Sequence, residues 1–146
     1  MNWSDLNLMP AMPEIVLLAL LGVVLLADLW ICDKNRYLTH LMSLGTVIIV
    51  AITQLAVWEQ GSVDAFHGMY IADGMSRLAK LVLYALTFGL FIYSKPYNQD
   101  RQIFKGEFYT LSLFALLGMS VMVSSAHFLT AYIGLELLSL SLYAMI

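Results

Sequence analysis

Residues 124–146 read SSAHFLTAYIGLELLSLSLYAMI, an apolar stretch that a single carboxylate, Glu136, interrupts. A helix that begins near His127 carries Glu136 about 13 Å along its axis, at about 1.5 Å per residue. This depth is close to the middle of a hydrocarbon core about 30 Å thick. An acid there costs at least about 2.5 kcal/mol, so it normally faces protein or water. We therefore expect Glu136 to be buried in a bundle of helices.

The residues around Glu136 predict which face of this helix is polar. Tyr132, Ser139 and Tyr143 fall on the same helical stripe as Glu136. Gly134 offers a smooth patch on which a neighbouring helix can pack closely. One interpretation of Glu136 is a structural acid fixed to a partner helix. Because intramembrane acids are functional sites by default, we favour proton or ion handling.

The composition places the chain in the membrane class. Of its 146 residues, 61% are hydrophobic and 12% are charged, whereas soluble domains are about half apolar and about a quarter charged. Seven basic residues without a basic stripe argue against a nucleic-acid partner. The single cysteine, Cys32, and three histidines far apart provide no metal or iron–sulfur framework, and no nucleotide-binding motif is present. We expect no cofactor in this chain.

The hydrophobic pattern predicts an all-α fold, a polytopic membrane helical bundle of about five transmembrane helices in a single membrane domain. The predicted spans cover residues 13–32, 37–58, 73–94, 107–123 and 127–146. The connection between the second and third spans has no helical period, which indicates a strand-like or interfacial segment. The last span ends without polar or basic anchors, so we expect the chain to be truncated at its C-terminus.

Several residues mark where the predicted helices begin and end. Pro13 and Glu14 suit the first turn of the first helix, where an acid complements the positive end. Asp73 is a candidate N-cap at the start of the third span, and Pro96 is expected to help end that span. The tight connection at residues 123–126 predicts that the fourth and fifth helices form an antiparallel pair.

The third span carries two cations in its first turns, Arg77 and Lys80. Lys80 either snorkels to the interface or turns inward as the partner of a buried acid. Lys80 is therefore a candidate site residue. Its pairing with Glu136 would need a tilted helix or a bridging water, since the two residues lie at different depths.

Two other polar residues lie at the ends of spans. Asp28, near the end of the first span, is interpreted as a structural interfacial acid that Lys34 or Arg36 could neutralise. His127, at the start of the fifth span, is interpreted as an interfacial residue, with proton exchange as the alternative.

The charges of the loops predict the orientation in the membrane. The basic residues that follow the first and third spans are Lys34, Arg36, Lys95, Arg101 and Lys105. The opposite side has only the two cations at the start of the third helix. The positive-inside rule then places both charged loops in the cytoplasm and the N-terminus in the periplasm.

Four segments of the chain resemble a known family. They are EFYTLSLFALLGM at residues 107–119, GLELLSLSLY at 134–143, DGMSRLAK at 73–80 and LADL at 26–29. Together they are similar to subunit N of bacterial NADH–quinone oxidoreductase (complex I), a multi-pass subunit related to cation/proton antiporter subunits. In that family a glutamate on the fifth helix pairs with a lysine on the seventh, and Glu136 matches that glutamate.

The resemblance implies a proton-translocating membrane-arm subunit of the bacterial inner membrane, of which this chain is a part. Glu136 would be one member of a buried carboxylate–lysine pair in a proton half-channel. The expected partners are the lipid bilayer and the other membrane-arm subunits, with NADH, FMN, iron–sulfur clusters and quinone bound by other subunits. The alternatives are a subunit of a multi-subunit cation/proton antiporter or membrane-bound hydrogenase, or an inert truncated structural module.

Overall fold

The computed structural model describes residues 12–30, 36–58, 63–65, 70–100 and 106–145. Within these residues the chain forms five α-helices and one short β-hairpin. The elements are α1 (Met12–Trp30), α2 (Arg36–Ala56), β1 (Val63–Ala65), β2 (Tyr70–Ala72), α3 (Gly74–Asp100), α4 (Gly106–Val123) and α5 (Phe128–Met145). The helical bundle that the hydrophobic pattern predicts is confirmed.

Four of the described helices are long and apolar enough to cross a bilayer. Their candidate spans are Met12–Trp30, Tyr37–Ala56, Gly74–Pro96 and Phe128–Met145. A helix of 18 residues is about 27 Å long, near the thickness of a hydrocarbon core. The apolar part of α4, Glu107–Val123, is shorter than the other four. Helix α4, which corresponds to the fourth predicted span, is therefore slightly shorter in its apolar part than the four candidate spans.

The connection between α2 and α3 contains an antiparallel hairpin, in which Val63 lies opposite Ala72. This confirms the strand-like interpretation for the described part of the connection. Asp73 then caps α3, as predicted: its carboxylate accepts a hydrogen bond of 2.8 Å from the backbone N–H of Ser76. The Asp73 N–H donates in return to the Ser76 hydroxyl at 3.1 Å. The hydrogen bond from the Ser76 backbone to the carboxylate, followed by the contribution of the Ser76 hydroxyl, holds the pKa of Asp73 below its ordinary value.

The candidate membrane span of α3 ends at Pro96, as predicted, although the helix itself continues through the proline to Asp100. A proline inside a helix removes one backbone hydrogen bond. Pro96 is also the last residue of the candidate span, so the carbonyl that loses its donor lies at the edge of the apolar region, where water can satisfy it. The position of the proline therefore explains why the helix tolerates it.

The apolar core is shared by the first four helices. α1 and α3 each pack against α2 and α4, and α2 also contacts α4. The buried core residues are Leu17, Leu21, Val24, Val47, Val50, Tyr84, Phe91, Tyr109, Leu113, Leu116 and Leu117. α5 supplies only the partly buried Leu137 to this cluster.

Helix α5 packs on α4 as an antiparallel neighbour, as the tight connection predicts. Two glycines bring the backbones close together. A Cβ atom on Gly118 would lie 2.8 Å from the carbonyl oxygen of Gly134, and one on Gly134 would lie 2.7 Å from Cγ of Met122. A side chain at either position would force the helices apart. This contact fixes which face of α5 turns toward the bundle.

Candidate functional site

A buried ion pair joins α1 to α3. Lys80, in the second turn of α3, forms a salt bridge with Glu14 in the first turn of α1, and their side chains are only 2% and 9% exposed. The two residues meet because α1 and α3 run in the same direction, which brings their first turns to the same end of the bundle. Lys80 therefore turns inward to a buried acid, which was one of the two predicted alternatives. Its partner is Glu14, and the structure does not bring Lys80 and Glu136 together.

A second cation lies at the same end of the bundle. The Arg77 side chain is buried, and its Nη1 donates a hydrogen bond of 2.7 Å to the backbone carbonyl of Trp58, just beyond α2. Arg77 and Lys80 are close enough for their charges to interact. Among the described residues, the cluster around Glu14 thus includes two cations, Arg77 and Lys80, and the Glu14 carboxylate. The Trp58 carbonyl, just beyond α2, helps to hold Arg77 in place.

Two hydroxyl groups extend this cluster toward α4. Tyr84 follows Lys80 by one turn of α3 and is 1% exposed. Its hydroxyl lies near both the Glu14 carboxylate and the Ser120 hydroxyl, yet it makes no well-aligned hydrogen bond to any described residue. Ser120 donates to the Leu116 carbonyl at 2.9 Å. Helices α1, α3 and α4 therefore meet around Glu14.

The opposite end of the bundle contains a separate set of polar contacts. Thr39 donates a hydrogen bond of 3.1 Å to the Asp28 carboxylate, which ties the end of α1 to the start of α2. The side chains of Lys34 and Arg36, the predicted partners of Asp28, lie outside those that the structure describes. A cavity of about 370 Å³ opens beside Asp28, between α1, α4 and α5, and Glu107 also lines it.

His40 is buried at this end and pairs with Tyr109. The His40 Nδ1 and the Tyr109 hydroxyl lie 3.0 Å apart. Phe91 and Phe108 pack edge-on against the Tyr109 ring, with ring centroids 5.3 and 5.5 Å away. The wide spacing of the three histidines in the sequence does not predict this contact, although a histidine inside an apolar span is a signal of a buried polar contact.

Glu136 lies at the middle of α5, as predicted, but its side chain is exposed on this chain. The reason is the rotation of α5: Gly134 faces α4, and a residue two positions later points to the other side of the helix. The Tyr132 hydroxyl lies within hydrogen-bonding reach of the Glu136 carboxylate, so this part of the predicted polar stripe forms. The described residues do not bury Glu136, contrary to the expectation. The pairing of Glu136 with a lysine on a later helix stays a prediction.

Two other expectations concern histidine and metal ions. His127 is exposed in the turn before α5, which fits an interfacial residue. In the parts of the chain that the structure describes, no group of three or more histidine, cysteine, aspartate or glutamate residues could hold a metal ion.

Glu14 is the functional candidate that sequence reasoning missed. Its position in the first turn predicts only a favourable interaction with the positive end of the helix, a local role that needs no partner. The available signal for the Glu14–Lys80 pair was that both residues lie near the start of their helices, α1 and α3, which run in the same direction. Only the helix order shows that the depths of the two residues coincide.

These observations define a multi-pass α-helical membrane protein that carries a buried ion pair between its helices. The chain is homologous to NADH-quinone oxidoreductase subunit N, which confirms the resemblance. It is 74% identical over 146 residues to that subunit of Neisseria gonorrhoeae, and 51% and 46% identical to those of Laribacter hongkongensis and Thioalkalivibrio sulfidiphilus. Each match covers 100% of this chain and 30% of the relative. No family model matches the chain.

Proposed function

We propose that this chain is part of a proton-translocating membrane-arm subunit of a bacterial NADH–quinone oxidoreductase. The observation that carries the proposal is the 74% identity to a subunit N along the whole chain. The candidate spans agree with a multi-pass subunit of the inner membrane. The other membrane-arm subunits are the proposed partners, and the redox cofactors belong to the subunits that oxidise NADH.

Within this function, Glu136 is the proposed proton-exchanging group of α5. The close packing at Gly134 holds α5 firmly against α4 and turns the carboxylate to the opposite face. That face is available to a further helix, and the family resemblance implies that a lysine on the seventh helix is the partner. When a cation moves away from a carboxylate in apolar surroundings, the carboxylate takes up a proton, since an uncompensated buried charge is costly. Movement of the lysine would thus couple conformational change to proton uptake and release.

The orientation follows from the loop charges. We propose that the cytoplasm lies at the end where α1 and α3 finish, so that Asp28 and Lys95 are near the cytoplasmic side. Glu14 and Lys80 then lie toward the periplasm.

The test is Glu136→Gln in the assembled complex, which keeps the shape of the side chain and removes its charge. Glu107→Gln, at an exposed acid on α4, is the matched control. We expect the Glu136 variant to assemble and to translocate protons severalfold more slowly than the control. Translocation at the wild-type rate would refute the assignment of Glu136.

A further inference from the structure

The cluster formed by Glu14, Arg77, Lys80, Tyr84 and Ser120 lies in α1, α3 and α4, away from the face of α5 that carries Glu136. Counted over the whole residue, Lys80 is 1% exposed and Glu14 is 8% exposed. Burying charged groups costs several kcal/mol for each ion unless partners compensate. Polar groups that only need to tie two helices together could do so as hydroxyls or amides at lower cost. The presence of an ionisable pair at this depth therefore points to a role for its charge.

The composition of the cluster determines which group can change its charge. Arg77 stays protonated at any physiological pH. Lys80 has this fixed cation on one side and the Glu14 carboxylate on the other. When Lys80 is protonated, the described cluster holds two positive charges and one negative charge. When Lys80 loses a proton, one positive and one negative charge remain, so the described cluster changes from a net charge of +1 to a neutral state. The nearby Arg77 cation therefore favours release of the proton, and the Glu14 carboxylate favours its return.

The geometry also supplies neighbours for the transferred proton. The Tyr84 hydroxyl is fully buried, points toward Glu14 and Ser120, and makes no well-aligned hydrogen bond to a described residue. A phenol can both donate and accept, so it can bond to whichever form of the pair is present. Glu14 lies in the first turn of α1, at the start of the candidate span Met12–Trp30, so the cluster lies at this end of the bundle.

We propose that Lys80 is a second proton-exchanging residue of this subunit, held by Glu14 and exchanging its proton with the aqueous phase at the end of the bundle where α1 and α3 begin. In the exchange, an N–H bond of the Lys80 ammonium breaks and the proton passes to water, either directly or through the Glu14 carboxylate. The lone pair stays on the nitrogen, and the reverse step restores the ammonium. Among the described residues, the charged groups beside Lys80 include Glu14 from α1 and Arg77 from α3. The Tyr84 hydroxyl of α3 and the Ser120 hydroxyl of α4 lie on the Glu14 side of the same cluster.

The decisive variant is Lys80→Arg in the assembled complex. Arginine keeps the positive charge that pairs with Glu14 but cannot give up its proton. A purely structural pair should accept arginine, so assembly and proton translocation would both stay at the wild-type level, and this result would overturn the proposal. We expect normal assembly with severalfold slower translocation. Lys95→Arg is the matched control, because Lys95 lies over the Tyr37 ring at the opposite end of the bundle.

A second variant guards against steric effects of the larger guanidinium. Glu14→Gln combined with Lys80→Met removes both charges and leaves no buried ion without a partner. We expect this double variant to assemble and to translocate protons severalfold more slowly, with a changed pH profile of translocation. Wild-type translocation in the double variant, or failure of both variants to assemble, would show that the pair is structural. Because Glu136 is unchanged in all of them, the outcome is separate from that of the Glu136 test.

Discussion

Glu14 and Glu136 are both acids within helices of the membrane bundle, but the side chain of Glu14 is buried and that of Glu136 is exposed. Glu14 is enclosed by three helices and has a lysine within the chain, whereas Glu136 points away from the helix on which α5 packs. The charge of Glu14 is paired with that of Lys80 inside the described bundle. The packing of α5 on α4 sets the direction of the Glu136 side chain, but the described residues do not bury it. The comparison teaches that the depth of a charge in a span and its enclosure are separate properties.

The largest effect should come from breaking the enclosed pair on one side only. Lys80→Met leaves Glu14 buried without its lysine, which we expect to cost about 3–5 kcal/mol. Glu136→Gln should cost much less, because the Glu136 side chain is exposed on the bundle. Thermal unfolding of the intact detergent-solubilised subunit measures both. Equal losses of stability in the two variants would contradict the distinction between an enclosed and an open acid.

A smaller effect should follow from separating α4 and α5. Gly134→Ala places a Cβ atom 2.7 Å from Met122 and 2.9 Å from the Gly118 carbonyl, and overpacking of this kind costs about 1–3 kcal/mol. Gly22→Ala is the control, since nothing lies within 4 Å of the new atom in α1. We expect only the first variant to lower the midpoint of thermal unfolding. If both variants behave alike, the close approach of α4 and α5 does not orient Glu136.

The contact between His40 and Tyr109 allows the loss of a buried tyrosine hydroxyl to be compared with the loss of an exposed one, that of Tyr132. Tyr109→Phe removes the hydroxyl that lies 3.0 Å from His40 Nδ1 and keeps the ring packing. We expect a loss of about 1 kcal/mol in the free energy of unfolding. Tyr132→Phe, on the exposed face of α5, should change stability little. A neutral Tyr109→Phe would mean that the histidine finds another partner at no cost.

The smallest effect concerns the helix that carries Lys80. Asp73→Ala removes the cap of α3 and should cost about 0.5–1 kcal/mol at neutral pH. The pKa of Asp73 is lowered in the folded state, chiefly by the hydrogen bond from the Ser76 backbone. Its contribution is therefore present above the pKa of the unfolded chain and is lost as the pH falls through the folded pKa. Asp73→Asn keeps a capping side chain, so its stability should not show this acid dependence; a wild-type pH dependence in that variant would assign the effect to another acid.

The sequence predicted much of the fold because the relevant signals are local. Apolar runs of sufficient length predicted the helices, and Asp73 predicted the start of α3. The tight connection at residues 123–126 predicted that α4 and α5 form an antiparallel pair. Pro96 marks the end of the third span, as predicted, but the helix continues beyond it to Asp100 because water at the edge of the apolar region can satisfy the freed carbonyl. Lys80 was identified as a candidate that could turn inward, but its partner was not.

The sequence by itself thus determined that this chain spans a membrane, that Glu136 lies at the middle of its last helix and which subunit family the chain resembles. Only the tertiary structure decided that Lys80 pairs with Glu14 and that Glu136 faces away from α4. The physical reason is that hydropathy and spacing fix how deep a residue lies along its own helix. Which residue it contacts depends on the order and rotation of the helices, and contacts such as that between Gly118 and Gly134 set these only when the bundle is assembled.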